Sequence, residues 1–156
     1  MLSQTIISNN YNISAMEIVI NDSKTISELQ KQFTKEFPFL KIEFFDTPYD
    51  SEQPAPKSKM YSHDRKISVC RKKHNDGAIE IEKNVTVAKF ERELWDTYGL
   101  SAQVFRKSGN LWIETSLTDS WTLERQNKEG FEMSSGHKNP YKEADETDIT
   151  DRDKWD

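Results

Sequence analysis

The core of this chain is written twice. Ile18-Val19-Ile20, Thr25-Ile26, Leu29, Phe33, Phe37, Phe39 and Phe44 return as Ile79-Glu80-Ile81, Thr86-Val87, Phe90, Leu94, Tyr98, Leu100 and Phe105, in phase and without a gap. Each copy reads as strand, helix, strand. MEIVIN (16–21) is short and β-branched, as a strand requires. Thr25-Ile26-Ser27-Glu28 is a capping box in which Glu28 is expected to reach back to the cap's own N–H. Ile26, Leu29, Phe33 and Phe37 then form one apolar helical stripe, and Pro38 ends it because the residue before a proline leaves the α region. FLKIEFF (39–45) is the second strand.

In the second copy AIEIE (78–82) alternates, so one face meets water. Thr86 caps a helix to about Tyr98, and Gly99 suits a left-handed stop. AQVFR (102–106), the hairpin turn Ser108-Gly109-Asn110 and LWIET (111–115) follow. Asp119 or Ser120 is then expected to cap a short helix closed by Gly130.

Two βαβ units in one sheet need right-handed crossovers. The economical fold is α/β, an α+β two-layer sandwich of ferredoxin-like type. Strands 1 and 3 lie centrally, and a C-terminal strand and short helix are added. The alternative is a different two-layer arrangement of the same pieces. The expected organisation is a leader over 1–15, one domain over 16–130 and a disordered acidic tail over 131–156. Within the domain the repeat units are 16–45 and 77–106, the connector is 46–76 and the extension is 107–130.

Apolar residues make up 34 % of the chain, and the deficit sits at the ends and in the connector. The single Cys70 forbids an intrachain disulfide and suits a reducing, cytoplasmic setting. No apolar run approaches the roughly 18 residues of a membrane span, so no membrane role is expected. The net charge of −5 conceals a segregation. Residues 57–74 carry seven Lys/Arg against one Asp, while 141–156 carry seven Asp/Glu against three Lys/Arg.

Constellations that carry chemistry are sparse. His63, Asp64, Cys70 and His74 lie close together, but structural zinc uses more cysteine in paired spacing and the neighbouring cations would repel it. Cys70 beside Arg71, Lys72 and Lys73 has thiolate-favouring neighbours, yet no base–orienter pair accompanies it, so a small buried thiol is the expectation. The glycines form no phosphate cradle. Glu80 and Glu82 read as a wet strand face rather than an acid–base pair. Neither a metal nor a cofactor is expected.

The phrases FPFLKIEFF (37–45), RKKHNDGAIEI (71–81) and above all AQVFRKSGNLWIETSLTDSWTLERQNKEG (102–130) resemble a family of small uncharacterised bacterial proteins. The resemblance covers most of the ordered core. It implies a bacterial cytoplasmic protein and no particular chemistry.

The functional expectation is therefore a non-catalytic protein-binding or regulatory module with another protein as partner. The contact residues are expected in the basic connector (Lys57, Lys59, Arg65, Lys66, Arg71, Lys72 and Lys73) and at Trp112 and Trp121, since aromatics and Arg anchor interfaces. A nucleic-acid or nucleotide binder using the same connector is the alternative, and a small enzyme without a recognisable motif the third. The connector, the extension and the tail are expected to have no counterpart between the two copies, and function is expected there.

Overall fold

A computed structural model of the protein describes residues 16–135; the expected leader, and the acidic segment from residue 136 on, lie outside the described residues. The elements are β1 (Met16–Ile20), α1 (Ile26–Glu36), β2 (Leu40–Phe44), β3 (Gly77–Ile81), α2 (Val87–Tyr98), β4 (Ala102–Ser108), β5 (Leu111–Glu114) and α3 (Leu123–Ser134). Both repeat helices begin as expected: Thr25 and Thr86 accept hydrogen bonds from the Glu28 and Lys89 amides, each at 3.2 Å. The Glu28 carboxylate accepts from the Thr25 hydroxyl rather than from the cap's own N–H. Gly99 ends α2 at φ 66°, the left-handed conformation that glycine adopts without a Cβ penalty.

The strands do not form one sheet. β1 pairs only with β3, while β2, β4 and β5 form a second antiparallel sheet in that order. This corrects the expected ferredoxin-like arrangement, in which β2 and β4 would flank β3 and β1. The mixed α/β class with antiparallel sheets stands.

The reason lies in the registers. Ile18 faces Ile79, its own repeat copy, with Met16 opposite Ile81 and Ile20 opposite Gly77. In the second sheet Ile42 faces Val104 and Glu43 faces Gln103. Repeat spacing makes Gln103 the copy of Ile42 and Val104 the copy of Glu43, so this pairing is also centred on the repeat. The two units meet as two identical subunits would, across a twofold that sets each strand against its copy. Phe33 stacks on Phe90 at 5.4 Å and 12° within the same core. That core draws Ile18, Ile20, Ile79 and Ile81 from one sheet and Leu40, Ile42, Phe44, Ala102 and Val104 from the other. Leu29, Phe33, Phe90 and Leu94 of the helices fill it.

The connector and the extension prove to be counterparts, contrary to expectation. The connector crosses the start of α1: Ile26 N donates to Arg65 O at 2.9 Å, Ser27 N to His63 O at 2.9 Å, and Ile67 N to Lys24 O at 2.8 Å. The extension crosses the start of α2 in the same way: Val87 N donates to Trp121 O at 3.0 Å, Ala88 N to Asp119 O at 2.9 Å, and Leu123 N to Val85 O at 2.9 Å. Each crossing satisfies N–H groups that a helix start leaves without intrahelical partners. Ile26, Ile67, Val87 and Leu123, one after each crossing point, are all 0 % exposed. The same two segments also reach the opposite helix. Lys73 Nζ and Asn75 Nδ2 donate to the Asp96 and Thr97 carbonyls at the end of α2, each at 2.8 Å. Asn127 Oδ1 accepts from Phe39 N, just past α1, at 2.9 Å.

After its crossing the connector makes only a 3₁₀ turn at Ile67–Val69. The extension instead continues into α3, capped by Thr122 rather than Asp119 or Ser120. Gly130 does not close that helix but lies inside it, and Phe131–Ser134, expected in the tail, are its last residues. A Cβ there would stand 2.8 Å from Phe39 Cβ, so the glycine marks a close approach rather than a stop.

Candidate functional site: a cleft where the two halves part

The equivalences above align Phe45 with Arg106, Val69 with Arg125 and Cys70 with Gln126. In the second half these side chains fill their surroundings with polar atoms. Arg106 Nη1 donates to Gln126 Oε1 at 3.0 Å, and Gln126 Nε2 donates to the Thr118 carbonyl and hydroxyl oxygens, each at 2.8 Å. The Arg125 guanidinium lies 3.7 Å from the Trp121 ring centroid, and that of Arg106 at 5.5 Å. In the first half a phenyl, an isopropyl and a thiol occupy the matching places. There the surface opens into a cleft of about 460 Å³.

Phe45, Pro48, Tyr61, Val69 and Trp95 give the cleft apolar surface, and Lys72 and Lys73 bring charge to it. Val69 is 54 % exposed, an unusual position for a β-branched aliphatic chain. Trp95 is half-buried on α2, one position off the apolar stripe. Lys73 is held by its hydrogen bond to Asp96 O and by Gly99, where a Cβ would stand 3.0 Å from Lys73 Cβ. Burial pushes the Tyr61 hydroxyl up to about 12, aided by its hydrogen bond to Asp46. Burial likewise pushes the Cys70 thiol up to about 11, more than the nearby Arg65 charge lowers it. Cys70 therefore stays a thiol at neutral pH, and its Sγ donates to Lys66 O at 3.3 Å.

The residues expected to make contacts are dispersed. Lys57 and Lys59 are exposed on a 3₁₀ turn, and Arg65 and Lys66 are exposed at the α1 crossing. Lys72 and Lys73 line the cleft. The Arg71 side chain is 0 % exposed. It donates to Asp22 Oδ1 through Nε at 3.0 Å and Nη2 at 2.8 Å, and through Nη1 to Asn75 O at 2.6 Å. Its guanidinium joins the connector to the β1–α1 turn, and the residue is among those that line the cleft. Trp112 packs with Phe45, Ala55, Met60 and Phe105 in a small second core, with Lys41 Nζ 5.1 Å from its ring. Trp121 is taken by the two arginines. Sequence reasoning left Tyr61, Val69 and Trp95 off the contact set. Trp95's place beside the stripe was the available signal.

The four side chains of the weighed metal site go separate ways. His74 Nδ1 meets Asp22 Oδ2 at 2.7 Å, Asp64 accepts from the Ser62 hydroxyl at 2.8 Å, and His63 lies 3.8 Å from Glu43. Among the described residues no group of three or more His, Cys, Asp or Glu could hold a metal ion. Partial burial alone would raise the Asp22 carboxyl, but hydrogen bonds from Arg71 and His74, with their charges, outweigh it and hold it below its ordinary value.

One carboxyl is strongly perturbed. Glu91 on α2 is 6 % exposed, and burial pushes it up to about 8, with Glu114 and Asp119 adding like charge. Its oxygens accept from Val104 N at 2.9 Å and from the Tyr49 hydroxyl at 3.1 Å. β5 pairs with β4 only from Phe105 onward, so Glu91 caps a β4 amide beyond that ladder. Its repeat copy Gln30 does the matching work on β2, donating to Ile42 O at 2.8 Å. Both side chains thus tie their helix to the adjoining strand.

No protein-family model, curated protein or solved structure matches the chain. Among the described residues no helix is long and apolar enough to cross a membrane.

Proposed function

We propose that the protein is a non-catalytic protein-binding module whose docking surface is the cleft between the connector and the C-terminal end of α2. The broken symmetry carries this reading. One half spends Arg106, Gln126, Arg125 and Trp121 on one another, and the other leaves Tyr61, Val69 and Trp95 facing a cleft rimmed by Lys72 and Lys73. Half-buried aromatics beside cations are the usual anchors of protein interfaces.

A nucleic-acid or nucleotide reading draws on the same juxtaposition, because stacking on aromatics and pairing with cations also holds single strands. The net charge of −5 weighs against a long polyanion, which meets the whole surface rather than the cleft alone. Gentle purification separates the two. A stoichiometric protein that accompanies the wild type and is lost from Trp95→Ala supports the module. Nucleic acid that co-purifies and raises absorbance at 260 nm over 280 nm supports the second reading and refutes the first.

A further inference from the structure

We infer that the cleft takes a short acidic segment of a partner protein that carries one aromatic or large aliphatic side chain. The inference rests on the binding-module reading and adds the chemistry of the ligand. A cleft of about 460 Å³ lies within the range of about 300–1,000 Å³ typical of ligand pockets. It holds one indole or leucyl group with its neighbours. Val69 and Trp95 supply the surface against which such a group leaves water.

The charges select what surrounds that anchor. Lys72 and Lys73 stand at the cleft, and Arg65 is near enough to act on both Tyr61 and Cys70. The one acid in the lining is Asp46. Lys72 and Lys73 against Asp46 in the lining, with Arg65 close by, favour an anionic segment. The Arg71 guanidinium is turned inward onto Asp22 and Asn75, so it offers the cleft no bidentate fork. The lysines act as single point charges, and Lys73 keeps protons to donate after serving Asp96 O.

The test is fluorescence anisotropy on the full chain with short dye-labelled peptides: an acidic one with a single tryptophan, the same with lysine for its acids, and the same with serine for its tryptophan. The acidic tryptophan peptide is expected to bind, and either change in the peptide to weaken it about tenfold or more. Lys72→Glu with Lys73→Glu, Trp95→Ala, and added salt are expected to weaken it comparably, with circular dichroism confirming that the variants fold. Equal binding of the three peptides, or indifference to both variants, overturns the inference. Tighter competition by an oligonucleotide than by the acidic peptide also overturns it and assigns the cleft to nucleic acid. Affinity that emerges only after removal of residues 137–156 overturns the assignment to a separate partner and gives the cleft to the chain's own acidic end. If no peptide binds, yet a co-purifying protein is lost from Trp95→Ala, the acidic-segment inference falls alone and the binding-module reading stands.

Discussion

Replacing Glu91 with glutamine separates the shape of this side chain from its charge. Glutamine retains an oxygen for the Val104 amide and a polar group for the Tyr49 hydroxyl. What it removes is the need to ionise inside the protein. In the folded chain Glu91 titrates at about 8, against 4.5 for an ordinary glutamate. Between those values the folded state holds a proton that the unfolded state has released, so wild-type stability falls as pH rises through this window and levels off above it. Below the window both states are protonated and no penalty exists. At about 1.4 kcal/mol for each pH step, the full penalty above pH 8 is on the order of 5 kcal/mol. Few groups face Glu91 to offset this: Tyr49, Glu114 and Asp119 surround it, and Arg92 lies over the Tyr49 ring at 5.2 Å. Urea unfolding of wild type and Glu91→Gln at steps from about pH 5 to pH 9 measures the difference. The variant is expected to gain on the wild type from about pH 5 to about pH 8 and then hold level, with a total gain of about 3–5 kcal/mol. Parallel pH profiles would refute the reasoning, whatever their vertical offset, because they would mean that Glu91 ionises as easily in the folded chain as in water.

The pseudo-twofold predicts matched costs. Ile67→Ala and Leu123→Ala should each lose about 2–4 kcal/mol by denaturant unfolding, and one of them being nearly neutral would contradict their equivalence. Gly130→Ala should destabilise by about 1–3 kcal/mol although alanine is the better helix former, since the new Cβ must displace Phe39. A more stable variant would show that α3 does not lie that close. Cys70, pushed up to about 11, should react with iodoacetamide at neutral pH about 100-fold more slowly than a free cysteine. A rate equal to that of free cysteine would show an exposed or activated thiol.

Much of the fold was legible because local chemistry decides it. Two Thr caps, two apolar stripes, Pro38 and Gly99 mark α1 and α2, and the alternation of Ile79 and Ile81 with Glu80 marks the wet face of β3. Sheet order was not legible. A repeat fixes what each strand is, but whether Ile42 faces a residue of β3 or of β4 depends on how the two copies dock, which no local pattern encodes. The likeness of connector and extension was hidden for a related reason. Their common task uses backbone groups at the helix starts, and only the buried aliphatics Ile67 and Leu123 must agree in character. The same logic explains the site. A run of seven cations reads as one patch, whereas folding turns Arg71 inward, leaves Lys57 and Lys59 outside the cleft lining and brings Lys72 and Lys73 beside Trp95, more than twenty residues away.

The central claim is that recognition happens where the two halves differ. Repeat spacing supplies an internal control, because Trp95 at the cleft and Thr34 on α1 are equivalent positions. A photo-crosslinking amino acid placed at 95, and separately at 34, in otherwise identical full-length chains expressed in cells makes the comparison. The account predicts a discrete protein adduct from position 95 and none from position 34. The same adduct from both positions, or an adduct from 34 alone, would contradict it.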